Sequence, residues 1–253
     1  MKKSLIALVC SAILSSSLMS DLVKLEMGAG SWSQDTKGTM SYSEDGATGS
    51  YISNEEDYSQ AYVWMLIKHP IPILPNLRLE YVSLEDEGAV SGSFDDFEIP
   101  VGQTTTLTYD MKQYDIIPYY NLLDNTAWIT LDLGLDIKII DVSYDVSPIA
   151  KIYEGYSDNE MIPIPLLYLR TRVEIPSTDI GIETDIKYVA YKKSKVYDIR
   201  AKIDYTLSFI PVIQPAIEVG YRVQKLDLDA DDFSDATVDF EFSGVYVGLM
   251  LRF

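Results

Sequence analysis

Thiols and imidazoles are nearly missing from this 253-residue chain, which has one cysteine, Cys10, and one histidine, His69. Cys10 falls within the first twenty residues, which read as a removable leader, so the rest has no disulfide framework and no cysteine metal site. A single imidazole is then left for acid–base or nucleophilic chemistry. Basic residues are also scarce: 20 against 39 acidic ones give a formal charge of −19. So acidic a chain does not suit a nucleic-acid partner, whose phosphates need a basic surface. No stretch beyond the leader approaches 18 uninterrupted apolar residues, which excludes helical membrane spans. At 47% hydrophobic the chain is nevertheless too apolar for an acidic disordered polymer.

The first twenty residues have the three-part layout of an export signal: Lys2 and Lys3, an apolar stretch from Leu5 to Leu14, then Ser15, Ser16, Ser17, Leu18, Met19 and Ser20. About ten apolar residues are too few for an anchor helix, which needs about 20. Cleavage after Ser20 is expected, leaving residues 21–253 as the folded domain. Val9 stands where a lipidated Cys10 would need a small residue, so a lipoprotein reading does not hold.

From Leu22 onward the apolar period is 2, not 3.6. Tyr197, Ile199, Ala201, Ile203, Tyr205, Leu207 and Phe209 alternate with Asp198, Arg200, Lys202, Asp204, Thr206 and Ser208. Ala127, Ile129, Leu131, Leu133, Leu135, Ile137 and Ile139 alternate in the same way with Thr126, Trp128, Thr130, Asp132, Gly134, Asp136 and Lys138. This patterning predicts strands near 22–33, 57–69, 76–87, 105–122, 126–142, 161–175, 179–192, 195–210, 215–228 and 237–253, with room for an extra hairpin in 34–56. About ten antiparallel strands, joined by short turns such as Leu123–Asn125 and Pro176–Thr178 and by longer acidic loops, match an all-β, closed transmembrane β-barrel with periplasmic turns and extracellular loops.

Alternation alone leaves open which face points outward, because a soluble lipocalin-like barrel has the same pattern turned inside out. Strands of 12 residues or more exceed the usual length of about 5 to 6 and at a tilt near 40° reach about 30 Å. Placing Arg200 and Lys202 in hydrocarbon would cost about 2 to 4 kcal/mol each. The apolar face is therefore assigned to lipid. The lumen then holds Lys24, Arg78, Lys138, Arg170, Arg172, Lys187, Arg200, Lys202, Arg222 and Arg252 against Glu26, Glu80, Asp115, Asp132, Asp136, Glu174, Glu183, Asp185, Asp198, Asp204 and Glu218, nearly in balance. Such a set can brace a closed interior or line a narrow conduit for a small solute, and a structural or surface-interaction role leads.

The surplus negative charge falls in 34–56, 85–104, 141–160 and 226–241, expected to be external loops. The densest run, Asp227, Asp229, Asp231, Asp232 and Asp235, begins like a calcium loop. Asp232 replaces the turn glycine, however, and Val238 the closing glutamate, so an EF-hand is excluded. At most a loosely held divalent cation is expected there, and no other cofactor.

The C-terminal strand, with Val245, Val247, Leu249, Leu251 and a final Phe253 on one face, resembles the assembly signal of bacterial outer-membrane proteins. That likeness implies barrel-assembly machinery, outer-membrane lipid and lipopolysaccharide as partners. Gly28, Ala29, Gly30, Ser31 and Trp32, the stretch Leu131–Leu135 and the ending Leu249–Phe253 resemble an uncharacterised outer-membrane family named for an N-terminal Gly-Gly feature. The resemblance implies location and fold, and no activity. Outer-membrane barrel hydrolases generally use a histidine near the outer rim, whereas His69 lies in a proline-rich periplasmic turn, so no enzymatic activity is expected.

Overall fold

The computed structural model describes residues 23–44, 47–94, 97–149, 155–207, 213–233 and 236–253. The leader, Cys10, Phe209 and Asp235 lie outside the described residues. Eleven strands follow one another: β1 Lys24–Glu44, β2 Ala47–Ser53, β3 Asp57–Lys68, β4 Asn76–Gly92, β5 Thr105–Thr126, β6 Ile129–Val146, β7 Tyr156–Glu174, β8 Ile180–Tyr191, β9 Ser194–Thr206, β10 Gln214–Leu228 and β11 Ala236–Arg252. A single helical turn, α1 (Ala230–Phe233), precedes β11.

Each strand pairs antiparallel with its neighbour, and β11 returns to β1 from Glu26↔Arg252 to Tyr42↔Ala236, so the sheet closes. The last residue takes part in closure, with the Phe253 N–H bonded to the Leu25 carbonyl at 2.9 Å. β2 and β3 occupy a single position between β1 and β4. β3 pairs with the lower parts of both and β2 with the upper parts. The break falls at residues 54–56, where Glu55 has a φ of 57°. Eleven segments therefore build a ten-stranded barrel, and the 34–56 region is the hairpin its patterning allowed.

Several boundaries differ from the alternation pattern. The strand expected from residue 126 begins at Ile129, because Ala127 and Trp128 adopt φ of 52° and 66° and form the turn. Positive φ at both central residues matches the twist of a tight hairpin. Trp128 is accordingly exposed at the rim and not in the lumen. The acidic segments expected as external loops are in large part strand: β1 continues to Glu44, β4 to Gly92, β6 to Val146, and β7 starts at Tyr156.

The outer face explains these long strands. On β6, Ile129, Leu131, Leu133, Leu135, Ile137 and Ile139 point outward, ten residue steps that span about 25 Å at a 40° tilt. Tyrosines border this belt above: Tyr81 and Tyr114 with centroids 5.3 Å apart, Tyr188 opposite Tyr197, and Tyr221. Tyr120, Trp128 and Tyr205 border it below. Aromatic residues at both edges of an apolar band are the interface anchors of a barrel in a bilayer.

Above the upper tyrosines, the two faces exchange character. Outward positions become Ser83, Glu85, Asp110, Lys112, Asp141, Ser143, Asp145, Asp239 and Glu241. Inward ones become Leu84, Leu107, Tyr109, Met111, Ile140, Val196, Leu226, Phe240 and Phe242, all buried. The barrel thus continues beyond the membrane as a collar built like a soluble protein, greasy inside and polar outside.

Leu135→Arg should lower the stability of the vesicle-embedded barrel by about 2 to 4 kcal/mol, whereas Ser143→Arg, on the same face of β6 above the belt, should change it by less than about 0.5 kcal/mol. Urea unfolding in liposomes measures both, and equal losses would refute the placement of the belt.

Candidate functional site

Within the membrane-spanning part of β4 to β10, alternation turns the charged residues inward, where closure of the barrel removes them from water. Among the described residues, eight cations and nine carboxylates are buried in the membrane-spanning interior. Burying an ion without a partner costs several kcal/mol, so the arrangement has to pair them.

Nearly all are paired, several across the full width of the barrel. Glu80 on β4 accepts from Lys187 on β8 at 2.5 Å and from Arg200 on β9 at 3.0 Å, as well as from Arg78 beside it. Asp198 binds Arg222 at 2.6 and 2.9 Å and also meets Lys138 at 3.3 Å and Lys187 at 3.7 Å. Asp115 is held by Lys138 at 2.9 Å and by Lys187. Asp185 takes Arg200 at 2.7 Å. Nearer the termini, Arg170 joins Asp132 to Glu183 at 2.7 and 2.6 Å, and Arg172 joins Asp204 to Glu174, both at 2.6 Å. Arg252 adds a contact to Asp204 at 2.8 Å and lies 3.5 Å from Glu26. Every predicted lumen residue from Arg170 to Arg222 lies in this network, although Glu174 opens to solvent at the end of β7.

Aromatic groups complete the filling, and sequence patterning had not marked them. Glu218 accepts from the Tyr62 hydroxyl at 2.8 Å, the Trp64 indole at 3.1 Å and Lys202 at 2.9 Å. Lys202 also stands 4.3 Å from the Trp64 ring centroid, and Arg222 stands 4.9 Å from that of Trp32. Gly28 lies where any Cβ would strike the Trp64 indole, so the Gly28–Trp32 stretch gives the closure strand a surface on which large rings can lie. The space between Trp32, Tyr62, Arg200, Arg222 and Tyr246 is too small for a water molecule. Asp136 differs from the other acids: it is fully buried and neither oxygen has a hydrogen-bond partner.

The collar core sits above this network. Tyr51, Tyr109 and Phe240 meet in edge-on and tilted contacts with centroids 5.1 to 5.8 Å apart. Asp86 is buried among them and accepts from the Tyr51 hydroxyl at 2.6 Å and the Ser53 hydroxyl at 2.8 Å.

The acidic run before β11 is used locally. Asp232 accepts from the Lys193 and Ser194 amides at 3.0 and 3.1 Å and from the Ser194 hydroxyl at 2.9 Å, with Lys192 3.3 Å away. Asp231 and Asp229 lie 2.6 and 3.6 Å from Lys193, and Asp227 lies 3.4 Å from Lys195. These acids tie α1 to the β8–β9 turn, and among the described residues no group of three potential ligands is gathered for a metal ion. Desolvation opposes ionisation of Asp232, but the Ser194 hydroxyl, the Lys193 amide and Lys192 outweigh it and hold the carboxyl below its ordinary range. His69 is engaged at both nitrogens. Nδ1 accepts from the Ile71 amide at 3.1 Å and Nε2 lies 3.0 Å from the Pro75 carbonyl, to which it donates.

This geometry defines a class: a closed, bilayer-spanning β-barrel of the outer-membrane type. The outer-membrane protease OmpT of Escherichia coli has a similar fold, with a TM-score of 0.57 at 10% identity over 92% of this chain and 97% of that one. The translocator domain of the autotransporter NalP of Neisseria meningitidis scores 0.45 at 9% identity over 99% and 98% of the two chains. Ail of Yersinia pestis, solved with the heparin analogue sucrose octasulfate, scores 0.32 at 11% identity over 92% and 99%. No family model matches the chain, and no curated protein does.

Asp198→Ala leaves Arg222, Lys138 and Lys187 short of a carboxylate and should cost about 3 to 5 kcal/mol. Asp136→Asn replaces a buried carboxyl whose oxygens have no hydrogen-bond partner and should be neutral or stabilising. Urea titration followed by the fluorescence of Trp32 and Trp64 measures both, and equal destabilisation would contradict the assignment of partners.

Because the Asp232 carboxyl is lowered on folding, its stabilisation is present above the unfolded value of about 3.9 and is lost as pH falls through the folded one. Hydrogen-exchange protection of the Lys193 and Ser194 amides should therefore survive acidification through about pH 4 and disappear at neutral pH in Asp232→Ala.

Proposed function

We propose that this protein is a non-conducting, non-enzymatic outer-membrane barrel whose collar serves as a structural or surface-interaction platform. One observation carries the reading: two seals lie in series along the axis. Ion pairs bridge the membrane-spanning lumen from wall to wall, and an apolar core fills the collar above them. A conduit for a small solute would need a continuous wet path, and the packed side chains of both layers, among the described residues, support a plugged barrel instead.

The non-enzymatic part of the reading is supported by the engagement of both His69 nitrogens in the β3–β4 turn. The proposed partners at the membrane are lipid and lipopolysaccharide around the belt. The assembly machinery would read the C-terminal strand, where Val245, Val247 and Leu249 are exposed. The proposed kinship with the Gly-Gly family rests on Gly28–Trp32, whose glycine accommodates Trp64.

Reconstitution in planar bilayers tests the proposal. The intact protein should give no single-channel steps, and steady current that changes on replacing Arg170 or Arg200 would overturn the plugged state in favour of a narrow channel.

A further inference from the structure

The collar wall is uneven. β7 pairs with β6 along its whole length, from Ile129↔Val173 to Val146↔Tyr156, but with β8 only from Leu167 to Glu174. β8 turns back at Lys192 and Lys193, below the top of β7. Residues 157–166 therefore have a strand on one side only, among the described residues.

The free side is the one toward which odd-numbered backbone groups point. The Glu174 amide bonds to the Trp128 carbonyl on the β6 side, and the Ile175 amide bonds to the Ile180 carbonyl on the β8 side. By that alternation Ser157, Asn159, Met161, Pro163 and Pro165 face the open edge. The two prolines lack an N–H, so the part of the edge nearest the membrane is blunted as edge strands usually are. Farther out, the Ser157 and Met161 amides keep their donors. The Asn159 amide is folded back onto the Asp158 carboxylate at 2.7 Å. All residues from 157 to 161 are exposed.

Next to this edge, across β5, β6 and β7, runs an open groove of about 590 Å³ bordered by Asp110, Asp141, Asp145, Ser157, Asp158 and Asn159. Lys112, 3.6 Å from Asp110, is the one lysine paired to these acids among the described residues. Ser157 and Asn159 are small and lie opposite Asp145 and Ser143 on β6, so a long side chain from a strand added at β7 passes over them to Asp145 and reaches Asp141, opposite Met161, on the diagonal.

We infer that the free β7 edge at Ser157–Met161, with the acidic groove beside it, docks an extended basic polypeptide as an added strand. Backbone hydrogen bonds to the edge would supply the pairing, and lysine or arginine at alternate positions would meet the groove. A second copy of this chain is disfavoured as occupant, because edge-to-edge pairing brings Asp158 and Glu160 against their own counterparts. The inference rests on the collar being an interaction platform and names the chemistry of its partner.

The full chain, folded in detergent micelles, is titrated with a fluorescent peptide of six Lys-Thr repeats. Controls are a Glu-Thr peptide and the Lys-Thr peptide N-methylated at alternate residues. The Lys-Thr peptide should bind more weakly as salt rises and should slow hydrogen exchange at the Ser157 and Met161 amides. N-methylation should weaken it by about tenfold or more, as should Met161→Pro, which removes an edge donor while leaving the even-numbered ladder to β6 intact. Asp141→Asn with Asp145→Asn should cost about tenfold at low salt. Heat-modifiable gel mobility confirms that each variant is folded, and the N-methylated peptide needs no variant. Equal binding of the N-methylated peptide, or no binding of the Lys-Thr peptide, overturns the edge site. So does cross-linking of Met161→Cys chains to one another in the absence of peptide. A silent bilayer recording with no peptide binding sinks the edge alone, whereas a conducting barrel sinks the platform reading.

Discussion

Enclosing charge without leaving it alone is the constraint on which this structure depends. Turning apolar residues toward lipid forces their neighbours inward, and on these strands the neighbours are Arg, Lys, Asp and Glu. Inside a narrow ten-stranded cylinder an unpaired ion is costly, and all but Asp136 of these buried charges find an opposite charge within reach. Shared carboxylates resolve the problem. Glu80 serves Arg78, Lys187 and Arg200, and Asp198 serves Arg222, Lys138 and Lys187. Because partners come from opposite walls, the same bonds that neutralise the interior also fix the spacing of the strands around it.

Much of this was legible in the sequence, and the reason is physical. In the membrane-spanning parts of β8 and β9 the period-2 pattern is unbroken, with Ile182, Ile186, Ile199 and Ile203 alternating against Glu183, Lys187, Asp198 and Arg200, so the inward face follows from the cost of burying ions in hydrocarbon. The collar was harder to read because its alternation continues with the faces exchanged. The signal existed as apolar doublets, Tyr81–Val82, Ile139–Ile140, Tyr188–Val189 and Val196–Tyr197, each marking a shift of phase where a strand leaves the bilayer. Without that signal, the acidic outer faces of β1, β4, β6 and β11 looked like loops.

Which ions pair was not legible at all. The contacts between Glu80 and Lys187 or Arg200 join residues more than a hundred positions apart, and only the closed register brings β4 opposite β8 and β9. The roles of Tyr62, Trp64 and Glu218 were hidden for the same reason. The Ala127–Trp128 turn was missed because its residues continue the alternation and only the backbone departs from it.

The apolar doublets also act as a waterline. Sinking the cylinder by one residue rise, about 3.3 Å along a strand, would draw Asp141 and Glu241 toward the acyl chains, and lifting it would expose Ile139 and Val245 to water. Each wall resists displacement in both directions, so the molecule floats at a fixed draught and carries its acidic rim at constant height over the cell surface.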